Sequence, residues 1–165
     1  MRITSKSRSI TLAFLAACLL IAAPLQAEDA PAKPDPSAAK VLRLLKASGY
    51  DYVSKSDTVW YITKHGDKLG DFRVIGANQD DLLVVFVIVA KKADIELDLD
   101  LAKKMLSLNH ELDQVKVGID DDGDAFVRTD ISIRILDQEA FKATVEQVAA
   151  AAEETYGAMQ PYLAQ

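Results

Sequence analysis

The apolar positions of this chain change their period several times, and each change marks an element. Leu82 to Val89 form an unbroken apolar run of eight residues between Asp80-Asp81 and Lys91-Lys92. The run falls well short of the about 20 residues a membrane-spanning helix needs. Five of its side chains are β-branched, which predicts a strand buried on both faces rather than on one. Burying each such side chain is worth roughly 1.5–3 kcal/mol as an upper bound, so the remaining elements are expected to cover it.

Ahead of this run, Val41, Leu42, Leu44 and Leu45 make a helical stripe. Asp35 or Ser37 stands where a helix N-cap belongs, and Gly49 follows Ser48 as a C-terminal glycine cap. Thr58 to Thr63 is β-branched and aromatic, and Asp71 to Ile75 makes a second short strand. The connections Lys64 to Lys68 and Gly76 to Asp80 have turn chemistry, so these two strands and the apolar run predict an antiparallel meander with the run third. Leu101, Met105, Leu108 and Leu112 then return to helical spacing, with Asp98 or Asp100 as cap. Val115, Val117 and Ile119 alternate. Asp122-Gly123 is the favoured central pair of a two-residue hairpin. From Ala125 to Ile135 the residues Val127, Thr129, Ile131, Ile133 and Ile135 fall on one side, and Phe126, Arg128, Asp130, Ser132 and Arg134 on the other. A last helix follows Asp137, with Phe141, Val145, Val148, Ala152 and Tyr156 as its stripe. The predicted order is α-β-β-β-α-β-β-α. That is an α+β fold: an antiparallel five-stranded sheet with helices packed mainly on one face.

The first 27 residues do not belong to this pattern. Arg2, Lys6 and Arg8 precede an apolar stretch from Ile10 to Ile21, and Ala22 to Ala27 supplies a cleavage region, the three parts of a secretory signal peptide. The expected location is therefore outside the cytoplasm, periplasmic or extracellular. Leu15-Ala16-Ala17-Cys18 offers the alternative of a lipoprotein anchored at Cys18. Residues 28–36 are a Pro-rich, charged linker, and residues 37–165 are one domain.

Removing residues 1–27 takes away three of the 19 Lys+Arg and none of the 25 Asp+Glu, which leaves a net charge of −9. Such an acidic domain is a poor match for nucleic acid or an anionic membrane surface, and it carries no further membrane span. The single Cys leaves with the signal, which excludes disulfides, thiolate metal sites and a Cys nucleophile.

Candidate chemistry changes the picture little. The acidic turn Asp120 to Asp124 lacks two ligands of a calcium loop, because Gly118 and Thr129 occupy the first and twelfth positions; a solvated hairpin tip is expected. His65 and His110 have no partners at metal-ligand or acid–base spacing. No nucleophile, phosphate-loop or paired-His motif occurs. No catalytic, cofactor-binding or metal-binding residue is expected, and the chain reads as a non-enzyme. Trp60 reads as core. Tyr50, Tyr52, Tyr61 and Phe126 are the candidate partner surface, since exposed aromatic rings suit recognition.

The succession of elements, the stretch Met105-Leu106-Ser107-Leu108-Asn109, the hairpin through Asp122-Gly123 and the long Ala-rich last helix together resemble the YbjN-like family. Its members are described as bacterial sensory-transduction regulators and are similar in fold to type III secretion chaperones. The resemblance spans about residues 37–163. It implies a dimeric, non-enzymatic module that binds a polypeptide partner, with the second helix as the pairing region. An export signal sets this chain apart from cytoplasmic secretion chaperones. A second expectation is a periplasmic carrier of a small molecule or lipid, with a pocket between sheet and helices.

Overall fold

The structure is a computed structural model that describes residues 36–163. The expected signal peptide, most of the expected linker, Cys18 and the cap candidate Asp35 lie outside the described residues.

Helix α1, Pro36–Ser48, buries Val41 and Leu45 and leaves Leu42 at the surface. Gly49 ends it at φ +81°, a conformation in which a Cβ is strained. Six strands follow in two groups: β1 Tyr52–Ser54, β2 Val59–Gly66, β3 Gly70–Gln79, β4 Leu82–Ala90, then β5 Lys116–Ile119 and β6 Ala125–Ser132. Helix α2, Leu99–Glu111, separates the groups, and α3, Gln138–Met159, closes the domain. All pairings are antiparallel, in the order β1-β2-β3-β4-β6-β5.

The expected five strands are therefore six, and the apolar run is the fourth. β1 escapes a hydrophobic pattern because it is three residues long, has exposed Val53 at its centre and pairs on one side only. The run does lie inside the sheet, between β3 and β6. Leu83, Val85, Val87 and Val89 point into one core with α1, α2 and α3, including Trp60, Leu101, Leu108, Phe141, Val145 and Val148. Trp60 lies over Gly76, where a Cβ would collide with the indole, and its ring centroid is 5.6 Å from that of Phe141.

Asp98 caps α2 by accepting from Leu101 N, and Asp137 caps α3 by accepting from Ala140 N. Along α3 the buried stripe turns from Ala152 onto Thr155 and Met159, which leaves Tyr156 half-buried. β6 stops at Ser132 rather than Ile135. Ile133 N donates to Asp81 O and the chain then turns, so Leu136 is buried and Ile135 is 73% exposed.

The β5–β6 connection is longer than a two-residue hairpin. Gly123 N donates to Asp120 O and Asp120 N to Asp124 O, so Asp121 and Asp122 are the central pair and Gly123, at φ +89°, follows them. The turn is not wholly solvated either: Asp124 is buried and accepts from Lys91 Nζ at 2.6 Å and from Lys92 N at 2.9 Å.

Candidate functional site

Every helix that contributes to the core does so from one side of the sheet. The other side carries no helix among the described residues; Val84 on it is buried and Tyr61, Ile75, Phe86, Ile88 and Phe126 are half-buried, and its side chains follow from the register. One cross-strand row reads Tyr61, Ile75, Phe86, Arg128, Lys116. The next reads Val59, Ala77, Val84, Asp130. Ile88 and Phe126 face each other in the row beyond, where the Phe126 ring lies over Gly118. The middle of this face is apolar and its ends are charged. A cavity of about 210 Å³ is lined by Ala77, Val84, Phe86, Ile88, Phe126 and Arg128, among others.

The charged ends are ordered. Asp130 accepts from Arg128 Nε and Lys116 Nζ, each at 2.6 Å. Burial works to raise the Asp130 pKa, but these two cations hold it below the ordinary carboxylate range. At the opposite end, Arg73 and Lys55 lie over the Tyr61 ring, 4.7 and 5.3 Å from its centroid.

The sheet is split at one point. The β3–β4 ladder runs from Gln79↔Leu82 to Ile75↔Phe86 and stops, although β3 continues back to Gly70 and β4 on to Ala90. The β4–β6 register also shifts between Ile88 and Ala90, in the part of β4 that has left β3. The gap is a cleft of about 910 Å³ between Asp71–Ile75 and Ile88–Lys91, floored by Tyr156 and Leu163.

Two carboxylates anchor its banks. Glu153 of α3 accepts from Lys68 N at 2.9 Å and Leu69 N at 2.8 Å, holding the β2–β3 turn. Asp124 holds the end of β4 through Lys91 and Lys92. Both titrate below the ordinary range. For Asp124 the Lys91 ammonium is the main cause; for Glu153, donation from backbone N–H groups overrides an opposing effect of burial.

The four aromatic residues singled out in the sequence do not form one surface. Tyr61 and Phe126 are on the open face, with β3 and β4 between their strands. Tyr52 pairs with Ile62 and packs against the core on the helix side, as does Tyr50. The Tyr50 hydroxyl donates to Glu146 Oε1 at 2.5 Å, and Lys64 Nζ, 2.7 Å from the same oxygen, lies 4.7 Å from the Tyr50 ring centroid. Burial, followed by the neighbouring Glu146 carboxylate, pushes the Tyr50 pKa far above its usual value. Tyr50 is a latch between β2 and α3. Ile75, Phe86, Ile88 and Arg128 belong to the open face and were not singled out; the register that joins them is a property of pairing that single-strand patterns do not carry. His65 pairs with exposed Asp71 at 2.7 Å and reaches nothing else charged by a bond. Among the described residues no helix is long and apolar enough to cross a membrane, and no three His, Cys, Asp or Glu converge as a metal site.

Comparison with known proteins agrees with this architecture. A chain of the ExsC–ExsE complex is 19% identical, with a TM-score of 0.54 over 73% of this chain and 93% of its own. A chain of the heterodimeric ExoU–SpcU complex from the type III secretion system of Pseudomonas aeruginosa is 16% identical, with a TM-score of 0.51 over 73% and 95%. YbjN from E. coli is 17% identical, with a TM-score of 0.56 over 77% and 95%. These likenesses show a shared fold, that of YbjN and of the chains matched in the two complexes. None of the curated proteins matches the sequence. The family model YbjN, described as "putative bacterial sensory transduction regulator", matches residues 37–161, and the chain belongs to the YbjN family.

Proposed function

We propose that this protein is a non-enzymatic, chaperone- or regulator-like module that binds a polypeptide partner on the open face of its sheet. The observation that carries this reading is the apolar band Tyr61, Ile75, Phe86, Ile88 and Phe126, which no described helix covers, bounded by the Arg128–Asp130–Lys116 cluster. An apolar centre with a polar rim is the usual anatomy of a protein interface. The fold neighbours ExsC–ExsE and ExoU–SpcU are themselves complexes between proteins, which supports the same class.

Paired substitutions test it. Val85 is fully buried and Phe86, next to it, faces the open side. Val85→Asp is expected to unfold the domain. Phe86→Asp is expected to leave it folded by circular dichroism while weakening capture of the partner co-purified from the native host at least tenfold. Equal partner binding by wild type and Phe86→Asp removes this face from consideration.

Two further parts of the reading rest on separate observations. Export follows from the signal pattern of residues 1–27, giving a periplasmic or extracellular domain, with a Cys18 lipid anchor as the alternative; N-terminal sequencing of host-purified protein reads which end is made. Homodimerisation through α2 is supported by Leu99 and Leu106, seven residues apart on that helix and 68% and 71% exposed. The carrier of a small molecule or lipid is the second reading, favoured by the cleft volume of about 910 Å³. Co-purifying mass in a native mass spectrum would support it, and a clean apo spectrum would remove it.

A further inference from the structure

The side chains lining the β3–β4 cleft do not belong to one face of the sheet. Phe72 and Val89 are core residues, whereas Arg73, Ile75 and Ile88 have the opposite parity, yet all of them line a single cavity. Both parities meet in this cavity where the β3–β4 ladder has ended at Ile75 and Phe86 and the two strands run on unpaired with each other. The two-residue turn at Asp80-Asp81 makes Gln79 and Leu82 the closing hydrogen-bonded pair, and alternation then makes 77–84 and 75–86 bonded pairs. By the same alternation Asp71 and Arg73 turn their N–H and C=O groups toward the gap from one bank, and Ile88 does so from the other.

We propose that this gap takes up an extended segment of a partner polypeptide as an added strand, inserted between β3 and β4. The inference rests on the polypeptide-binding reading above and deepens it by naming how a segment is held. The chemistry of the banks selects the occupant. An extended main chain presents N–H and C=O groups alternately to its two sides, matching two parted strands, as strand addition does at an ordinary edge. β3 and β4 run in opposite directions, so the inserted strand lies antiparallel to one bank and parallel to the other. Its side chains alternate between the Phe72, Val89 and Tyr156 side and the Ile75 and Ile88 side, so apolar residues suit both. Ile88 also lines the cavity on the open face, so the inserted segment continues directly onto the apolar band.

The cleft is held open before any partner arrives. The β4–β6 register shifts between Ile88 and Ala90 on one bank, Glu153 ties the other to α3, and Asp124 ties β4 to the β5–β6 turn. A preformed opening avoids the cost of separating strands on binding.

The test pans a phage-displayed library of random twelve-residue peptides against the protein and resynthesises an enriched peptide with single backbone N-methyl groups. Insertion uses N–H groups on both sides of the peptide. Methylation at two consecutive central residues is therefore expected to weaken binding about tenfold each, the scale of one lost hydrogen bond. Addition at an outer edge uses only alternate N–H groups, so sensitivity at every second residue overturns the proposal. Hydrogen exchange on the unsubstituted protein gives the second measurement: peptide is expected to slow exchange at Arg73 and Ile88 at least tenfold. Peptides that bind and are lost on Phe86→Asp, with exchange at Arg73 and Ile88 unchanged, overturn insertion and leave the open-face reading standing. If no peptide is enriched, both readings fall. Exchange at Arg73 and Ile88 that is already slow without peptide, and quickens when residues 1–35 are removed, assigns the gap to this chain's own N-terminal segment and overturns a partner in trans. Insensitivity to methylation with displacement of the peptide by an apolar small molecule assigns it to a carrier.

Discussion

Asn109 shows what one side chain does for an edge strand. Its amide donates from Nδ2 to Val117 O at 2.8 Å and to Met105 O at 3.0 Å, and its Oδ1 accepts from Val117 N at 2.8 Å. β5 is the outer strand of the sheet, so Val117 would otherwise present an unpaired backbone pair to solvent or to another chain. One residue thus joins α2 to the sheet and satisfies part of that edge. Asn109→Ala removes all three bonds without creating a clash. With each such bond worth about 0.5–1.5 kcal/mol net, a loss of about 1.5–4.5 kcal/mol in urea unfolding is expected, together with faster hydrogen exchange at Val117. An unchanged midpoint would show that water replaces the clamp at no cost. The same residue ends the stretch Met105 to Asn109 by which the sequence resembles its family. The likeness was legible in the sequence; the bond to β5 was not, because it joins positions related only by tertiary packing.

At the scale of elements, the helices and the central strand follow from local pattern because each carries its own period and caps. Asp98 and Asp137 cap α2 and α3 as their positions suggest; β4 is interior as expected but not covered on both faces, since helices pack on Leu83, Val85, Val87 and Val89 while Phe86 and Ile88 on the other face stay half-buried. What the pattern hides is pairing. β1 is too short to show a period, β6 ends early because Ile133 bonds Asp81, and the β3–β4 ladder stops at Ile75 and Phe86 although both strands run on. The open face was legible only in half, as Tyr61 and Phe126, since the residues between them come from register.

Electrostatics joins the elements in a way that predicts a pH response. Asp124, Asp130, Glu146 and Glu153 each bind across elements or within the sheet rim, and each titrates below its unfolded value. A carboxyl with a depressed folded pKa contributes stability that is fully present above the unfolded value of about 4, and loses it as pH falls through the folded value. Thermal stability is therefore expected to be level across neutral pH with respect to these groups and to fall below about pH 4. Glu153→Gln replaces one acceptor oxygen with a donor NH₂. It is expected to speed amide exchange at Lys68 and Leu69 and to flatten part of the acid loss. An unchanged acid limb in Glu153→Gln would show that the β2–β3 turn is held by its own backbone.

At the scale of the whole molecule, two groups of surface apolar side chains, on the sheet face and on helix α2, are suited to different contacts. The sheet face offers aromatic and branched residues bounded by paired charges, suited to a heterologous segment. Helix α2 offers Leu99 and Leu106 on a short element otherwise rich in charge, suited to a self-complementary contact about a two-fold axis. The acidic excess of the domain opposes association of two copies at low ionic strength, and screening over a Debye length of about 8 Å at physiological salt relieves it. A dimer through α2 is therefore expected to strengthen as salt rises, opposite to one held by ion pairs. Light scattering across protein concentration, at about 0.02 and 0.5 M salt, reads both the mass and its direction of change; these concentrations span Debye lengths from roughly 20 to 4 Å. Leu106→Glu is expected to return the protein to monomer at both salts while leaving partner binding on the sheet face intact. A wild-type protein that stays monomeric at high concentration and high salt removes α2 as a pairing surface and leaves Leu99 and Leu106 for a different chain. A Leu106→Glu variant that also loses the partner would instead place part of the partner's footprint on α2.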